Sequence, residues 1–226
     1  MVRVIGLAGG DEFRVGCENM DREILASSGQ ENASVLIVPT AADANPVQAA
    51  NHGIRYFTEL GAKCSSLMVL TNNDANDSKI IQRIESADIL YFTGGNPEYL
   101  LETIKGSILV KKINQLLEAG MILAGSSAGA MVMGSWMRMP SNNEVARGLD
   151  IAEGIVVLPH HENQNPEKIT DWVDAKVPSG ITALGIDAKS ACLMTPKGWK
   201  VIGEGKVTVY KTASWCVYGP GSIVSW

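Results

Sequence analysis

The chain reads as an α/β fold: a three-layer, doubly wound, mostly parallel sheet with antiparallel hairpins toward the C-terminus. Three observations predict it. Short apolar runs alternate with longer amphipathic stretches over the first two-thirds of the sequence, as in successive strand–helix–strand units. Several of these runs stop at glycine-rich turns. After Gly180 the rhythm shortens to strand-sized segments parted by turn residues such as Pro196-Lys197-Gly198.

Val2–Ala8 is the first strand, closed by Gly9-Gly10, and Val35–Val38 is the second, closed by Pro39. Pro46–Leu60 is a helix with proline in its first turn and Gly61 just past its end. Leu67–Leu70 is expected as a strand, Ser78–Ile84 as a helix and Ile89–Phe92 as the next strand. Gly94-Gly95-Asn96-Pro97 breaks the chain before helices that run through Ala119. Met121–Ala124 is unbroken in its apolarity and so buried on both faces. Ala130–Met137 is expected to be helical, Ile155–Leu158 a strand and Pro166–Ala175 a helix. Thr182–Ile186, Ala191–Met194, Trp199–Ile202 and Val207–Tyr210 make the hairpin region, and Trp215–Trp226 receives no assignment.

Composition narrows the class. With 46% hydrophobic and 19% charged residues among 226, the chain can bury one large core. Lacking a Pro/Ser-rich spacer, a low-complexity run or a repeat, it is expected to form a single domain, residues 1–226. Acids and bases are mixed along a chain of net charge −5, and no Lys/Arg cluster suits a row of phosphates, so nucleic acid is not an expected partner. No apolar run approaches the roughly 20 residues that span a bilayer, so no membrane partner is expected either. The opening MVRVIGLAGGDEF lacks the long apolar core of a signal peptide. Cys17, Cys64, Cys192 and Cys216 form no Cys-x-x-Cys pair and read as free thiols of a cytoplasmic protein. Neither a metal nor an organic cofactor is expected.

The chemistry concentrates at Gly125-x-Ser127-x-Gly129. A serine hydroxyl becomes a nucleophile when it meets a base and a substrate together. A sharp turn from a buried strand into a helix achieves this, and the flanking glycines allow its backbone segments to approach closely. The competing reading is a small-residue turn with a helix-capping serine. The amide of Ala128, at the helix start, is free to receive an oxyanion. The turn at Gly94-Gly95 follows another strand on the same carboxyl edge, making the Gly95 amide a second candidate donor. Of three histidines, His52 falls inside an amphipathic helix. His160 and His161 follow the strand that ends at Leu158; neighbours there point opposite ways, and His160 is the favoured base.

Gly125-Ser126-Ser127-Ala128-Gly129-Ala130, preceded by Phe92-Thr93-Gly94-Gly95-Asn96, resembles the serine peptidase family that contains dipeptidase E and cyanophycinase. The similarity extends to Gly148-Leu149, Pro159-His160 and Leu184-Gly185-Ile186-Asp187, and so covers nearly the whole chain. It implies a fold like that of class I glutamine amidotransferases, with serine in place of their cysteine. It further implies Ser127 as nucleophile, His160 as base, Gly95 and Ala128 as oxyanion donors, and Asn96 lining the pocket.

Two departures accompany the resemblance. The family's glutamate slot, which orients the histidine, is Ala188, and the aspartate used in some descriptions, fifteen positions after the nucleophile, is Asn142. Glu162, Asp187 and Glu144 are the candidate replacements, Glu162 first because His160-x-Glu162 repeats the amidotransferase spacing. In addition, Lys168 is the only cation in Glu162–Asp171, where family members place arginines for an aspartyl group, and lysine does not replace a bidentate arginine. Leu158-Pro159 also stands where cyanophycinases have Asp-Gln. These departures argue against an aspartyl substrate. The expected activity is therefore a serine exopeptidase or amidase acting on a small peptide or amide, as a monomer or homodimer. The alternative is a catalytically impaired, amidotransferase-like binding protein. A glutamine amidotransferase subunit is disfavoured, since those need a thiol at position 127.

Overall fold

A computed structural model describes residues 3–225. Along the chain come β1 (Val4–Ala8), α1 (Glu18–Ala26), β2 (Ser34–Val38), α2 (Pro46–Glu59) and β3 (Lys63–Ser66). They are followed by α3 (Ser78–Gln82), β4 (Ile89–Phe92), α4 (Pro97–Ile104), α5 (Ile108–Ala119), β5 (Ile122–Ser126) and α6 (Ala128–Met131). The remainder is β6 (Gly134–Arg138), β7 (Val145–Arg147), β8 (Ala152–Leu158), α7 (Pro166–Lys176), β9 (Thr182–Ile186), β10 (Ser190–Thr195), β11 (Gly198–Gly203), β12 (Val207–Lys211), β13 (Ser214–Tyr218) and β14 (Ile223–Val224). The first expected strand reaches back to Val2, which lies outside the described residues, as does Trp226. Among the described residues no helix is long and apolar enough to cross a membrane.

The strands form two sheets. The larger has the order β14-β11-β10-β1-β5-β4-β2-β3, with β1, β5, β4, β2 and β3 mutually parallel. The smaller has the order β13-β12-β9-β8-β6-β7, parallel across β9, β8 and β6. Side-chain alternation sorts each strand between two layers. Ile5, Leu7, Leu90, Phe92 and Leu123 enter a large cluster with Leu100, Ile104, Ile113 and Leu117 of α4 and α5, shared with Ile155, Val157, Leu184 and Val209 of the smaller sheet. Ala8, Val35, Ile37, Ile89, Tyr91 and Ala124 face the other way, onto Met20 and Ile24 of α1 and Tyr56 and Phe57 of α2. Val156, Leu158 and Ala183 pack beneath Ile169 and Val173 of α7. The larger sheet thus lies between two helical layers, as the alternating pattern predicts.

Local signals set the helix ends. Ser107 caps α5 by accepting from the Val110 amide, and Gly120, at φ 105°, ends it in the left-handed region. Pro46 opens α2 and Pro166 opens α7.

Two expectations are corrected. Leu67–Leu70 is not a strand; the third parallel strand is the polar Lys63–Ser66. That strand is an edge, partly solvent-facing, so ladder bonds rather than apolar residues define it. Pro39 has no N–H to prolong the β2 ladder, and Leu67 and Val69 turn down into the core. Ala130–Met137 is not one helix either: a single turn gives way at Gly134 to β6, which lies between β7 and β8. An apolar run buried on both faces carries no periodicity to separate helix from strand. The expected hairpins form, but on different sheets: β10–β11 extends the larger one and β12–β13 the smaller. The unassigned C-terminal segment supplies β13 and β14.

One buried acid marks the layer beneath α1 and α2. Asp21 is fully buried, accepts from the Tyr56 hydroxyl at 2.8 Å and has no partner for its other carboxyl oxygen among the described residues. Burial raises its pKa from 3.8 to about 7. The folded state therefore retains the proton. This contribution to stability is complete below the unfolded pKa near 4 and is lost as pH rises through about 7. Asp21→Asn should accordingly melt higher than the parent at pH 8.5, with the gap closing toward pH 5, when thermal unfolding is followed across that range.

Candidate active site

The carboxyl end of β1 organises the site. Beyond its last pairing with β5, Ala8 to Ser126, the Ala8 carbonyl accepts from the Ser127 amide at 2.9 Å. The next carbonyl, of Gly9, accepts from the His160 amide at 2.9 Å, and that of Gly10 from Lys189 at 3.2 Å. Three segments distant in sequence are thereby gathered around one strand end.

Ser127 occupies the turn between β5 and α6 at φ 48° and ψ −108°, a backbone conformation L-residues seldom adopt. The turn is tight enough that a Cβ at Gly129 would lie 2.4 Å from the Phe92 carbonyl oxygen, and one at Gly125 would lie 2.8 Å from the Gly129 backbone. Ser127 is half-buried. His160 Nε2 lies 3.2 Å from Ser127 Oγ. The imidazole rests on Gly10, whose φ is 141° and where a Cβ would come within 2.1 Å of His160 Cε1. His160 itself has φ 51°, so backbone strain at Ser127 and at His160 accompanies their approach.

His161 engages Tyr210 rather than Ser127. It is buried, its Nε2 shares a hydrogen bond of 2.6 Å with the Tyr210 hydroxyl, and its Nδ1 has no partner among the described residues. Burial lowers its pKa, so it is neutral inside the fold. His52 lies exposed on α2.

The amides of Gly95 and Ala128 donate to no protein acceptor among the described residues; Gly95 lies in the loop after β4 and Ala128 opens α6 after β5, both at the carboxyl edge of the parallel strands. Asn96 is otherwise engaged. Its Oδ1 caps α4 by accepting from Glu98 and Tyr99 at 3.1 Å, and its Nδ2 donates to Asp43 at 3.1 Å.

Among the described residues, none of the three acids considered for His160 hydrogen-bonds it. Glu162 accepts from the Ala188 amide at 2.9 Å; slight burial opposes its ionisation, but that bond holds its pKa below the usual value. Asp187 accepts from the Lys206 amide at 2.9 Å. Glu144 pairs with Lys176, and Asn142 caps the turn before Glu144 at 2.9 Å.

Two clefts meet at Ser127. One, of about 440 Å³, is walled by Met131, Leu158, Pro159 and Ile169 and contains Arg138. Arg138 Nε donates to Asn143 Oδ1 at 2.7 Å, its guanidinium stands 4.8 Å from the Trp172 ring centroid, and no carboxylate pairs with it among the described residues. Burial lowers its pKa without discharging it. The other cleft, of about 540 Å³, runs past Glu12, Arg14, His52, Gly94 and His160.

Arg138, Gly10 and Glu12 escape sequence reasoning. The Gly9-Gly10-Asp11-Glu12 loop carried a signal, since glycines and acids follow a strand on the catalytic edge. Arg138 carried none, because it follows directly on a stretch that reads as helix, Ala130–Met137.

Against known proteins, the model of peptidase family S51 matches residues 5–201. The chain belongs to that family and is a peptidase, a hydrolase of peptide bonds. It is 28% identical over 213 residues to a cyanophycinase of Trichormus variabilis, covering 89% of this chain and 71% of that one. The crystal structure of a peptidase from an acI-B1 Actinobacterium superposes with a TM-score of 0.87 at 25% identity, over 100% of this chain and 98% of the other. A putative peptidase E from Listeria monocytogenes shares the fold, with a TM-score of 0.68 at 19% identity over 91% of this chain and 100% of that one.

Gly10→Ala should displace the His160 ring while leaving the sheet intact. Peptide hydrolysis is expected to fall about 100-fold, the scale on which a misplacement near 1 Å acts. Turnover assays set beside a thermal melt would check it; near-normal turnover would show that the ring does not need its glycine floor.

Proposed function

We propose that the chain is a serine-type peptidase or amidase acting on a small peptide or amide through Ser127 and His160. The observation that carries the reading is the 3.2 Å approach of His160 Nε2 to Ser127 Oγ beside two unengaged amides. Ser127 Oγ attacks the scissile carbonyl as its proton passes to His160 Nε2. The carbonyl oxygen becomes an oxyanion received by the Gly95 and Ala128 amides. Collapse expels the amine, which takes the proton from His160, and leaves an acyl-serine. Water, deprotonated by His160, then releases the acid and restores the hydroxyl. Glu162 supports the imidazolium through its nearby charge rather than through a hydrogen bond. Asn96 shapes the pocket by holding the start of α4 beside Gly95.

Arg138 bears on the substrate. A half-buried guanidinium with its Nε tethered and no acid partner favours a carboxylate on the molecule it meets. It offers from β6 the cation that is missing after His160, and so restores an acidic substrate as the favoured kind. The impaired-binding alternative rests on the lack of a carboxylate bonded to His160.

A fluorophosphonate probe should label Ser127, with labelling and hydrolysis both lost in Ser127→Ala. His160→Ala should lower turnover by about 10²–10⁴-fold. Refusal of the intact protein to label across pH and probe types would remove the serine mechanism. Tight ligand binding without turnover, unmoved by His160→Ala, would favour the binding protein. Arg138→Leu should raise KM for acidic peptides about tenfold or more while sparing neutral ones, as steady-state kinetics on matched substrates would report.

A further inference from the structure

Glu12 stands in the loop after β1 and touches neither Ser127 nor His160 by a hydrogen bond. Its Oε1 accepts from the Gly94 amide at 2.8 Å and its Oε2 from the Ser126 hydroxyl at 3.0 Å. Each donor lies one residue before a group used in the proposed reaction: Gly94 before Gly95, and Ser126 before Ser127, which Ala128 follows. The backbone ladder between β4 and β5 ends at Phe92 and Gly125. Past that register β4 and β5 no longer hold each other directly, and the two amides awaiting the oxyanion lie beyond it. Glu12 spans the opening. Room is made for it by Gly94, where a Cβ would lie 2.6 Å from Glu12 Oε1. Ser126 is wholly buried, so its hydroxyl cannot turn to solvent for another acceptor.

We propose that Glu12 is a positioning residue: its carboxylate ties the Gly94–Gly95 loop to the Ser126–Ser127 turn and so sets the spacing of the two oxyanion-receiving amides. The inference rests on the serine reading above and adds a role to a residue that reading does not use. A charged acceptor suits the task, because bonds to a carboxylate are about twice as strong as neutral ones and two at once fix its orientation. Glutamine can reproduce both contacts, with its carbonyl accepting from Gly94 and its amide donating to the Ser126 oxygen. Alanine can reproduce neither.

The experiment measures the rate constant of fluorophosphonate labelling, and kcat and KM on an acidic peptide, for the full chain and for Glu12→Ala, Glu12→Gln and Ser126→Ala. Removing a single oxyanion donor costs about 10²–10³ in kcat, so loosening two without removing either should cost Glu12→Ala about 10- to 100-fold. The loss should fall on kcat and the labelling rate, with KM within about threefold, and Glu12→Gln should recover most of it. Ser126→Ala, which removes one hydroxyl and threatens folding least, should lose about three- to tenfold and keeps the test decisive if Glu12→Ala does not fold. Wild-type kcat in folded Glu12→Ala or in Ser126→Ala overturns the proposal, as does Glu12→Gln no better than alanine. Parent protein left unlabelled at Ser127 fails the serine reading itself, and that failure is visible before any Glu12 variant is compared.

Discussion

The carboxyl end of β1 is the constraint on which the site depends. Successive carbonyls, of Ala8 and Gly9, hold the amides of Ser127 and His160, each at 2.9 Å. Because neighbouring carbonyls of one strand have a fixed separation, these two bonds set where the two residues can stand relative to each other. The hydroxyl and imidazole therefore meet because their backbones are pinned to the same short segment, and the 3.2 Å contact between them follows. A site assembled this way is held by an inner strand of the larger sheet.

That arrangement has an energetic cost. Ser127 and His160 both adopt positive φ, conformations worth about 1–3 kcal/mol of strain apiece in a residue with a side chain. The surrounding contacts offset it: the turn's amide bond to Ala8, close backbone packing at Gly125 and Gly129, and a ring seated on Gly10. Both strained residues lie at the edge where the parallel strands end, the edge at which α/β sheets offer ligands their loops.

Electrostatics divides the adjacent histidines. His161, buried against Tyr210, is kept neutral and structural. His160 is exposed, with one ring nitrogen turned to Ser127. Glu162 is held by the Ala188 amide at the position where the family resemblance would place a glutamate side chain, so the carboxylate reaches this neighbourhood from the histidine's own strand end. It is anchored there by backbone. Family membership establishes a peptidase, and the 3.2 Å approach of His160 to Ser127 is coherent with it.

Local sequence determined whatever depends on local forces. The alternation of apolar runs and amphipathic stretches announced the parallel sheet and its helical layers, and Ile89–Phe92 and Thr182–Ile186 match their strands to the residue. Ser127, His160, Gly95 and Ala128 were legible because strand ends, glycine turns and a helix start are local patterns, and the β-edge rule places them together. Tertiary structure alone decided the rest. Lys63–Ser66 became a strand through bonds to β2, and Gly134–Arg138 through bonds to β7 and β8; neither has a periodicity of its own. Arg138 enters the cleft only because that segment is a strand, and Glu12 acquires its partners from residues 82 and 114 positions away. A carboxylate carries no mark of which distant donors it will meet, since hydrogen-bond partners across a sheet are assigned by register, and register exists only once the chain has folded.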